Sequence, residues 1–257
     1  DFKLSLCICI SANFFVVLIP IIMNVVCVAA HPDDTELLCA GTLARYAKDG
    51  HNVTIAIFTD GSRGDLIVEP EKLAAMREKE ARDAAAVIGA NFIWGGVTDE
   101  LAYTDLDSRH LMIDILREAD PDIIFTHSPN DYHPDHRYVG QLVFDSYFQK
   151  GLPFMPGQKR PACRFAHAQL YYMDTLCGIG FQPTEYVDTT ETFLIKREML
   201  LCHKSQFVAM EDMANTNMLE MIEIQSRFRG MAAGCKYAEG FIRLDAYQRG
   251  LTRRVLP

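Results

Sequence analysis

Apolar and polar residues follow two spacings along this chain, one typical of strands and the other of helices. Residues 25–30 form a continuous apolar run, VVCVAA, which predicts a strand buried on both faces. Residues 35–50 place apolar side chains at helical spacing and end at Gly50, and residues 51–58 alternate and are rich in β-branched types. Strand, helix and strand in this order predict a βαβ unit with two parallel strands.

The two spacings continue toward the C-terminus. They predict further helices at residues 70–88, 106–119, 133–148, 191–202 and 211–229, and further strands at residues 91–94, 122–126 and 168–172. Residues 178–188 predict a strand or substrate wall at the rim of the domain, and residues 238–243 form a last short segment. Strands that alternate with helices in this way predict an open, doubly wound α/β sheet.

The first 22 residues differ from the rest of the chain, since residues 4–22 carry no charge. Three interpretations compete: a signal peptide or membrane anchor, an apolar extension of the fold, or a stretch upstream of the native start. We favour the third, because Met23 directly precedes the first complete α/β unit. Residues 23–257 are therefore expected to form a single domain in the cytoplasm, with an anchored or exported protein as the alternative.

Composition narrows the classes of protein that fit. Hydrophobic residues at 49% and charged residues at 23% are ordinary values for a globular protein. The net charge of -9 argues against a nucleic-acid partner, which usually meets a basic surface. The eight cysteines include no CxxC pair, and scattered unpaired thiols are typical of a reducing compartment such as the cytoplasm. We therefore expect neither a disulfide framework nor zinc held by cysteine.

The first candidate chemistry follows the strand at residues 25–30, at the carboxyl end where open α/β sheets build their sites. His31 and Asp34 are three residues apart across a turn, and together they suit a divalent metal, zinc above all. Asp33, between them, is left free to act on a metal-bound water. Alternatively, the HPDD turn only caps the next helix, because Asp and Pro are common at helix starts. The tetrapeptide by itself leaves both interpretations open.

A second polar cluster follows the strand at residues 122–126 and favours the metal interpretation. It contains three histidines and two aspartates within ten residues: His127, Asp131, His133, Asp135 and His136. His133 and His136 stand three apart at the start of a predicted helix, so both can face one side. A lone surface histidine usually has no such role, but a cluster at a strand's carboxyl end is far less often accidental. The two clusters would meet if their strands are neighbours in the sheet.

Other parts of the chain offer candidates with less support. The loop at residues 59–65, TDGSRGD, contains two glycines and could hold a polar ligand, but a flexible turn is as good an interpretation. Asp99 is a candidate substrate contact on a loop after a strand, and His203 is either a partner of the site or a solvated helix end. Residues 150–164 predict a lid or an oligomer contact, and with residues 184–188 they are expected to select the substrate.

Six short motifs occur across nearly all the chain after Met23. They are AHPDD at 30–34, TDGSRG at 59–64, RxxE at 77–80, HPDH at 133–136, HKSQ at 203–206 and AEGF at 238–241. With these motifs the chain resembles the LmbE-like, or PIG-L-like, de-N-acetylases, which are zinc enzymes that remove acetyl groups from N-acetylglucosamine-containing compounds. The pairing of AHPDD with HPDH is the specific part of the resemblance, and HKSQ and AEGF only support it.

The resemblance implies a Rossmann-like, three-layer α/β/α fold with a mostly parallel sheet. It implies one Zn2+ per chain held by His31, Asp34 and His136, with other divalent metals as alternatives. It also implies that Asp33 acts as the general base, and that His133 stabilises or protonates the tetrahedral intermediate. The residue types agree with this, because three protein ligands leave an open position for water.

The resemblance also places Arg77 and Asp99 near the substrate, although the motifs around them are short. The expected partner is an N-acetylated amino sugar or its conjugate, with no nucleic acid, and with membrane contact only if residues 1–22 are an anchor. Homo-oligomers are common among such relatives, and a homo-oligomer is expected here on that basis alone. Another mononuclear-zinc amidase or a phosphoesterase is the alternative activity, and a non-catalytic sugar-binding protein is a third interpretation.

Overall fold

The computed structural model describes residues 4–6, 18–20, 22–163 and 168–244. Two short strands, β1 (Leu4–Leu6) and β2 (Leu18–Pro20), pair antiparallel in the N-terminal segment. The interpretation of residues 1–22 as an anchor, an extension or an upstream stretch otherwise lies outside the described residues. Among the described residues, no helix has both the length and the hydropathy that a membrane span requires.

The centre of the fold is a mixed sheet of seven strands. In chain order they are β3 (Asn24–Ala29), β4 (Asn52–Thr59), β5 (Asn91–Val97), β6 (Ile123–Thr126), β7 (Gln169–Met173), β8 (Glu185–Asp188) and β9 (Ala238–Arg243). Their order in the sheet is β5-β4-β3-β6-β7-β9-β8. The pairs from β5 to β7 are parallel, and β9 runs antiparallel to both of its neighbours. The prediction of a mostly parallel sheet is confirmed.

Helices pack against both faces of this sheet. They are α1 (Asp34–Leu38), α2 (Ala40–Lys48), α3 (Pro70–Val87), α4 (Leu106–Ala119), α5 (Pro134–Ser146), α6 (Phe193–Leu200), α7 (Lys204–Ala214) and α8 (Met218–Ala233). Along β3, Val25 and Cys27 belong to one apolar cluster with α1, α2, α3, α6 and α8. Val26 and Val28 belong to a second cluster with α4 and α5. The fold therefore has three layers, with β3 buried on both faces as predicted.

Two of the predicted helices are wrong in their extent. Residues 35–50 form two helices rather than one, because the backbone leaves helical geometry at Cys39 (φ -139°, ψ -10°). The predicted helix at residues 211–229 is divided between α7 and α8. Asn215 adopts a left-handed conformation (φ 49°, ψ 44°) that ends α7, and the Asn217 side chain accepts hydrogen bonds from the first turn of α8. Apolar periodicity missed this break because it does not report asparagine caps.

A buried ion pair joins the last strand to α6, and its carboxylate also caps the N-terminus of α2. The Lys196 ammonium donates to Glu239 Oε1 at 2.7 Å, and the two residues are 2% and 4% exposed. The Glu239 carboxylate also accepts the backbone N–H groups of Gly41 at 2.9 Å and Thr42 at 2.7 Å. The N-cap residue of α2, Cys39, makes no side-chain cap. Glu239 of the AEGF motif therefore satisfies donors that the helix itself leaves open.

The strands that carry the two polar clusters are neighbours in the sheet. β3 pairs parallel with β6, and Val28 lies opposite Thr126. The carboxyl ends of both strands therefore lie at the same edge of the sheet, and the loops that follow them meet there. This adjacency is the condition under which the two clusters were expected to form one site.

The cysteines that the structure describes are free thiols: Cys27, Cys39, Cys163, Cys177, Cys202 and Cys235. Cys27 and Cys39 lie in the apolar core, where a thiol behaves as a small apolar side chain. These six cysteines form no disulfide with one another. Cys7 and Cys9 lie outside the described residues.

Candidate metal centre and active site

His31, Asp34 and His136 converge between the loop after β3 and the first turn of α5. His31 Nδ1 lies 3.2 Å from Asp34 Oδ2 and 3.2 Å from His136 Nε2, and His136 Nε2 lies 3.2 Å from Asp34 Oδ1. Ligands of a tetrahedral zinc ion, bonded at about 2.0–2.2 Å, are about 3.3–3.6 Å apart. All three side chains are buried. Each histidine faces a different oxygen of Asp34, and the donor types of this triad fit a single divalent metal ion.

Other possible metal-ligand sets share residues with the triad. Three sets have their ligand atoms within 4.8 Å of one another: His31–His133–His136, Asp34–His127–His136 and His31–Asp99–Asp135. His127 Nε2 already accepts the Ala30 N–H at 2.9 Å, so its lone pair is engaged. Burial, followed by the charge of His136, lowers the pKa of His127 to about 4 and keeps the ring neutral. His127 therefore supports the end of β3 and is a poor candidate ligand.

Asp131 lies at the ring nitrogen of His136 that does not face His31. Its Oδ2 is 3.1 Å from His136 Nδ1, and its Oδ1 accepts the His133 N–H at 3.0 Å. A carboxylate in this position holds a proton on Nδ1 and leaves Nε2 free as a ligand. Burial by itself lowers the pKa of His136, but Asp34 and Asp131 raise it to about 9. The sequence cluster includes Asp131, but only the tertiary contact shows which histidine it orients.

Asp33 lies beside the triad. Its backbone has a φ of 120°, which residues other than glycine rarely adopt, and such strain is common at active sites. Its Oδ2 is 3.3 Å from Arg77 Nη2. Burial raises the pKa of Asp33 to about 6, against the opposing charge of Arg77. A carboxyl group with this pKa is suited to exchange a proton with a reacting group near neutral pH.

Arg77 holds two loops of the site together. It is 3% exposed, and it donates from Nη2 to Pro32 O at 2.6 Å and from Nη1 to Gly61 O at 2.9 Å. Gly61 has a φ of +63°, and a Cβ there would lie 2.7 Å from the guanidinium, so the TDGSRG motif requires glycine at this position. The structure thus shows a structural role for Arg77 in addition to the predicted substrate contact.

Asp99 and Asp135 face the second ring nitrogen of His31. Asp99 Oδ1 lies 3.2 Å and Asp135 Oδ2 lies 3.4 Å from His31 Nε2. Asp99 Oδ2 also accepts the Arg63 N–H, and Asp135 Oδ2 accepts the Glu100 N–H, each at 2.9 Å. Carboxylates in this position hold Nε2 protonated and leave Nδ1 for a metal. No role for Asp135 was predicted from the sequence.

His133 is the N-cap residue of α5. Its Nδ1 accepts the Asp135 N–H at 3.3 Å, which leaves the ring proton on Nε2. Burial, and then the charges of His31 and His136, lower the pKa of His133. The ring centroids of His133 and His31 are 4.7 Å apart. His133 is therefore a neutral imidazole that can donate a hydrogen bond beside the triad.

Two more of the sequence motifs meet behind the site. His203 of HKSQ is completely buried, with Nε2 3.1 Å from Glu36 Oε2, so its interpretation as a solvated helix end is wrong. Glu80 of RxxE accepts the Ser205 N–H at 3.0 Å and the Ser205 hydroxyl at 2.7 Å. These bonds join α3, which carries Arg77, to the first turn of α7. The motifs therefore fix the helices that surround the site.

A cavity of about 180 Å³ opens at the triad. Its lining includes all seven residues predicted from the sequence: His31, Asp33, Asp34, Arg77, Asp99, His133 and His136. α7 and α8 add Gln206, from the HKSQ motif, and four methionines to which the sequence gave no role: Met210, Met213, Met218 and Met221. Within the part of the chain that the structure describes, residues 150–163 and 184–188 do not line this cavity. The expectation that those segments select the substrate stays a prediction.

Comparison with known proteins agrees with the sequence motifs. Residues 26–147 match the family model described as PIG-L, GlcNAc-PI de-N-acetylase. The matched segment contains the AHPDD, TDGSRG, RxxE and HPDH motifs, and so all three residues of the triad. The match confirms the resemblance that the motifs indicate.

Relatives are similar to this chain over most of its length. Diacetylchitobiose deacetylase from Thermococcus kodakarensis is 29% identical over 235 residues, which cover 85% of this chain and 82% of that protein. The structure of N,N'-diacetylchitobiose deacetylase from Pyrococcus horikoshii is 25% identical, with a TM-score of 0.74 and coverage of 90% of this chain and 87% of that one. The structure of 4-carboxy-2-hydroxymuconate hydratase from Pseudomonas putida KT2440 is 20% identical, with a TM-score of 0.75 and coverage of 91% and 100%. The fold thus serves more than one reaction, so the activity has to be argued from the site.

Proposed function

We propose, from the match of residues 26–147 to the PIG-L family model, that this chain is a metal-dependent hydrolase that removes the acetyl group from an N-acetylglucosamine-type sugar or sugar conjugate. The observation that carries the proposal is the triad of His31, Asp34 and His136. The two histidine nitrogens lie 3.2 Å apart, and each lies 3.2 Å from one oxygen of Asp34. Asp33 supplies a buried carboxylate beside it. The names of two similar proteins, both diacetylchitobiose deacetylases, support the sugar class.

We assign the metal site to His31, Asp34 and His136, with zinc as the preferred ion because two imidazoles and one carboxylate form a donor set that zinc favours. Bound there, zinc would supply Lewis acidity and would lower the pKa of a bound water to about 7. Asp131 and Asp99 hold the outer nitrogens of the two histidine rings, so the inner nitrogens stay available as ligands.

Asp33 is assigned as the general base. It accepts a proton from the attacking water, whose oxygen adds to the acetyl carbonyl carbon. His133 donates a hydrogen bond from Nε2 to the carbonyl oxygen as negative charge develops on it. The C–N bond then breaks, and protonated Asp33 is a donor for the proton that the leaving amine takes up. A positioned proton-transfer group of this kind contributes about 10²- to 10⁴-fold in rate.

Arg77 and Asp99 are assigned to the substrate. Both line the cavity, where a guanidinium and a carboxylate can bind sugar hydroxyl groups. Their other contacts, to loop carbonyls and to His31, hold these groups in place before a substrate binds. The cytoplasmic location, the single domain at residues 23–257 and the homo-oligomer stay predictions.

The test is acetate release from N-acetylglucosamine, its disaccharide and its conjugates, measured with and without a chelator. Phosphate esters assayed beside them separate a deacetylase from a phosphoesterase. We expect acetate release that the chelator abolishes and added zinc restores, and elemental analysis should find one metal ion per chain. Phosphate release without acetate would favour the phosphoesterase. Stoichiometric zinc with no acetate from any acetylated amine would favour a sugar-binding protein.

A further inference from the structure

The cavity has an apolar wall that plays no part in the proposed hydrolysis of the acetamide. Four methionines and one leucine form it: Met210, Met213, Met218, Met221 and Leu176. The methionine thioether has no hydrogen-bond donor, and its sulfur is only a weak acceptor. It is also flexible and polarisable, so it adapts to apolar groups of different shape. The wall therefore offers contact area and few partners for hydroxyl groups.

The break between α7 and α8 creates this wall. Met210 and Met213 are three residues apart on α7, and Met218 and Met221 are three apart on α8, so each pair shares a helix face. In one continuous helix, Met210 and Met221 would be about 16 Å apart along the axis. The turn at residues 215–217 instead brings both pairs to one cavity. Met213 is 42% exposed and lies at the outer end of the wall, whereas Met218 is 1% exposed, belongs to the apolar core and backs the wall from inside.

We propose that the methionine wall binds an apolar alkyl or aryl aglycone of the N-acetylated sugar. The inference rests on the proposed deacetylase function. It assigns the triad side of the cavity to the acetamido group and the methionine wall to the aglycone of the same substrate. With the acetamido group at the triad, a cavity of about 180 Å³ is too small to enclose a whole conjugate, since pockets for drug-sized ligands hold about 300–1,000 Å³. The inference places the rest of the conjugate along the methionines, toward the exposed Met213.

The chemistry of the wall decides between two kinds of aglycone. A second sugar or a polyol would exchange its hydrogen bonds to water for contacts with thioethers and methyl groups, which is unfavourable. An alkyl or aryl group loses no hydrogen bonds there and removes apolar surface from water. Gln206, one helical turn before Met210 on α7, is the polar residue that α7 contributes to the cavity, and its amide can serve the sugar itself.

The test compares two α-glycosides of N-acetylglucosamine, one with a cyclohexyl and one with a myo-inosityl aglycone. Their aglycones share a six-membered carbon ring and differ in hydroxyl groups. The zinc-loaded full chain should deacetylate the cyclohexyl glycoside with kcat/KM at least tenfold higher, which corresponds to about 1.4 kcal/mol. An octyl glycoside should be better still. Equal rates, or a preference for the inosityl glycoside, would overturn the inference.

Two methionine variants test whether the methionine wall causes the preference for the cyclohexyl glycoside. Met213→Gln, at the exposed end of the wall, should lower the cyclohexyl-to-inosityl ratio of kcat/KM by about threefold or more. Met231→Gln is the matched control, because Met231 lies on the same helix as Met218, is 82% exposed and does not line the cavity. Thermal unfolding of both variants checks their folding.

The outcomes separate the two proposals. A ratio that stays unchanged in Met213→Gln, in a protein that prefers the cyclohexyl glycoside, overturns the assignment to the methionine wall. If no acetylated sugar releases acetate, the proposed function fails, and the aglycone inference fails with it. If free N-acetylglucosamine and both glycosides react equally, the deacetylase stands and only the aglycone inference fails.

Discussion

Replacing Glu239 by glutamine removes a negative charge from a buried pair. The Glu239 carboxylate accepts the Lys196 ammonium at 2.7 Å and two N–H groups of the first turn of α2 at 2.7 and 2.9 Å. Glutamine keeps one acceptor oxygen, but its NH2 group has to face another donor. The ammonium then stays buried without the carboxylate that balances its charge. We expect Glu239→Gln to destabilise the protein strongly.

The size of the loss follows from the burial of the pair. Removing one partner of a buried ion pair costs about 3–5 kcal/mol. In a protein of this size a loss of about 1 kcal/mol lowers Tm by about 2–4 °C, so Glu239→Gln should lower Tm by about 6–20 °C. Glu78→Gln is the matched control, because Glu78 forms an exposed i,i+4 pair with Arg82 at 2.7 Å. Such a pair is worth about 0.3–0.5 kcal/mol, which corresponds to at most about 2 °C.

The assay is thermal unfolding followed by circular dichroism, at one pH and one metal content for all proteins. Adding Lys196→Met to Glu239→Gln should recover part of the loss, because the unbalanced ammonium is removed as well. The reasoning is refuted if Glu239→Gln unfolds as close to the wild type as Glu78→Gln does. It is also refuted if Lys196→Met adds its own full cost to that of Glu239→Gln, because the two side chains would then be independent.

Three substitutions test the roles proposed for the site. Asp33→Asn should keep the bound metal, measured by elemental analysis, and lower kcat by about 10²- to 10⁴-fold, because the base is lost and the triad is intact. His136→Ala should lose both metal and acetate release, and full metal occupancy in this variant would contradict the ligand assignment. Asp131→Asn should weaken metal affinity by about 10- to 100-fold in a chelator competition, because the carboxylate 3.1 Å from His136 Nδ1 is lost. An unchanged affinity would mean that Asp131 does not orient His136.

Much of the fold was predictable from the spacing of apolar residues along the chain. Alternation and helical spacing depend on whether near neighbours along the chain are buried, so β3 to β7 appeared in the sequence, as did most of the helices. Residues 238–243, which form β9, were expected only as a short segment. The two polar clusters follow strand ends, and all seven residues predicted for the site line one cavity. The helix boundaries at Cys39 and at residues 215–217 were missed, because backbone turns and caps there leave the apolar spacing almost unchanged.

The VVCVAAHPDD segment shows what the sequence determines by itself and what depends on the tertiary structure. By itself the sequence determined the buried strand, the types of metal donor and the family resemblance, since these depend on residues close together in the chain. Only the tertiary structure decided that β3 lies beside β6, so that His136 reaches His31 from 105 residues away. It likewise decided that the carboxylate of Glu239 caps α2, and that a turn after α7 brings four methionines to the cavity. Contacts of this kind depend on strand order and on chain reversals, for which periodicity carries no signal.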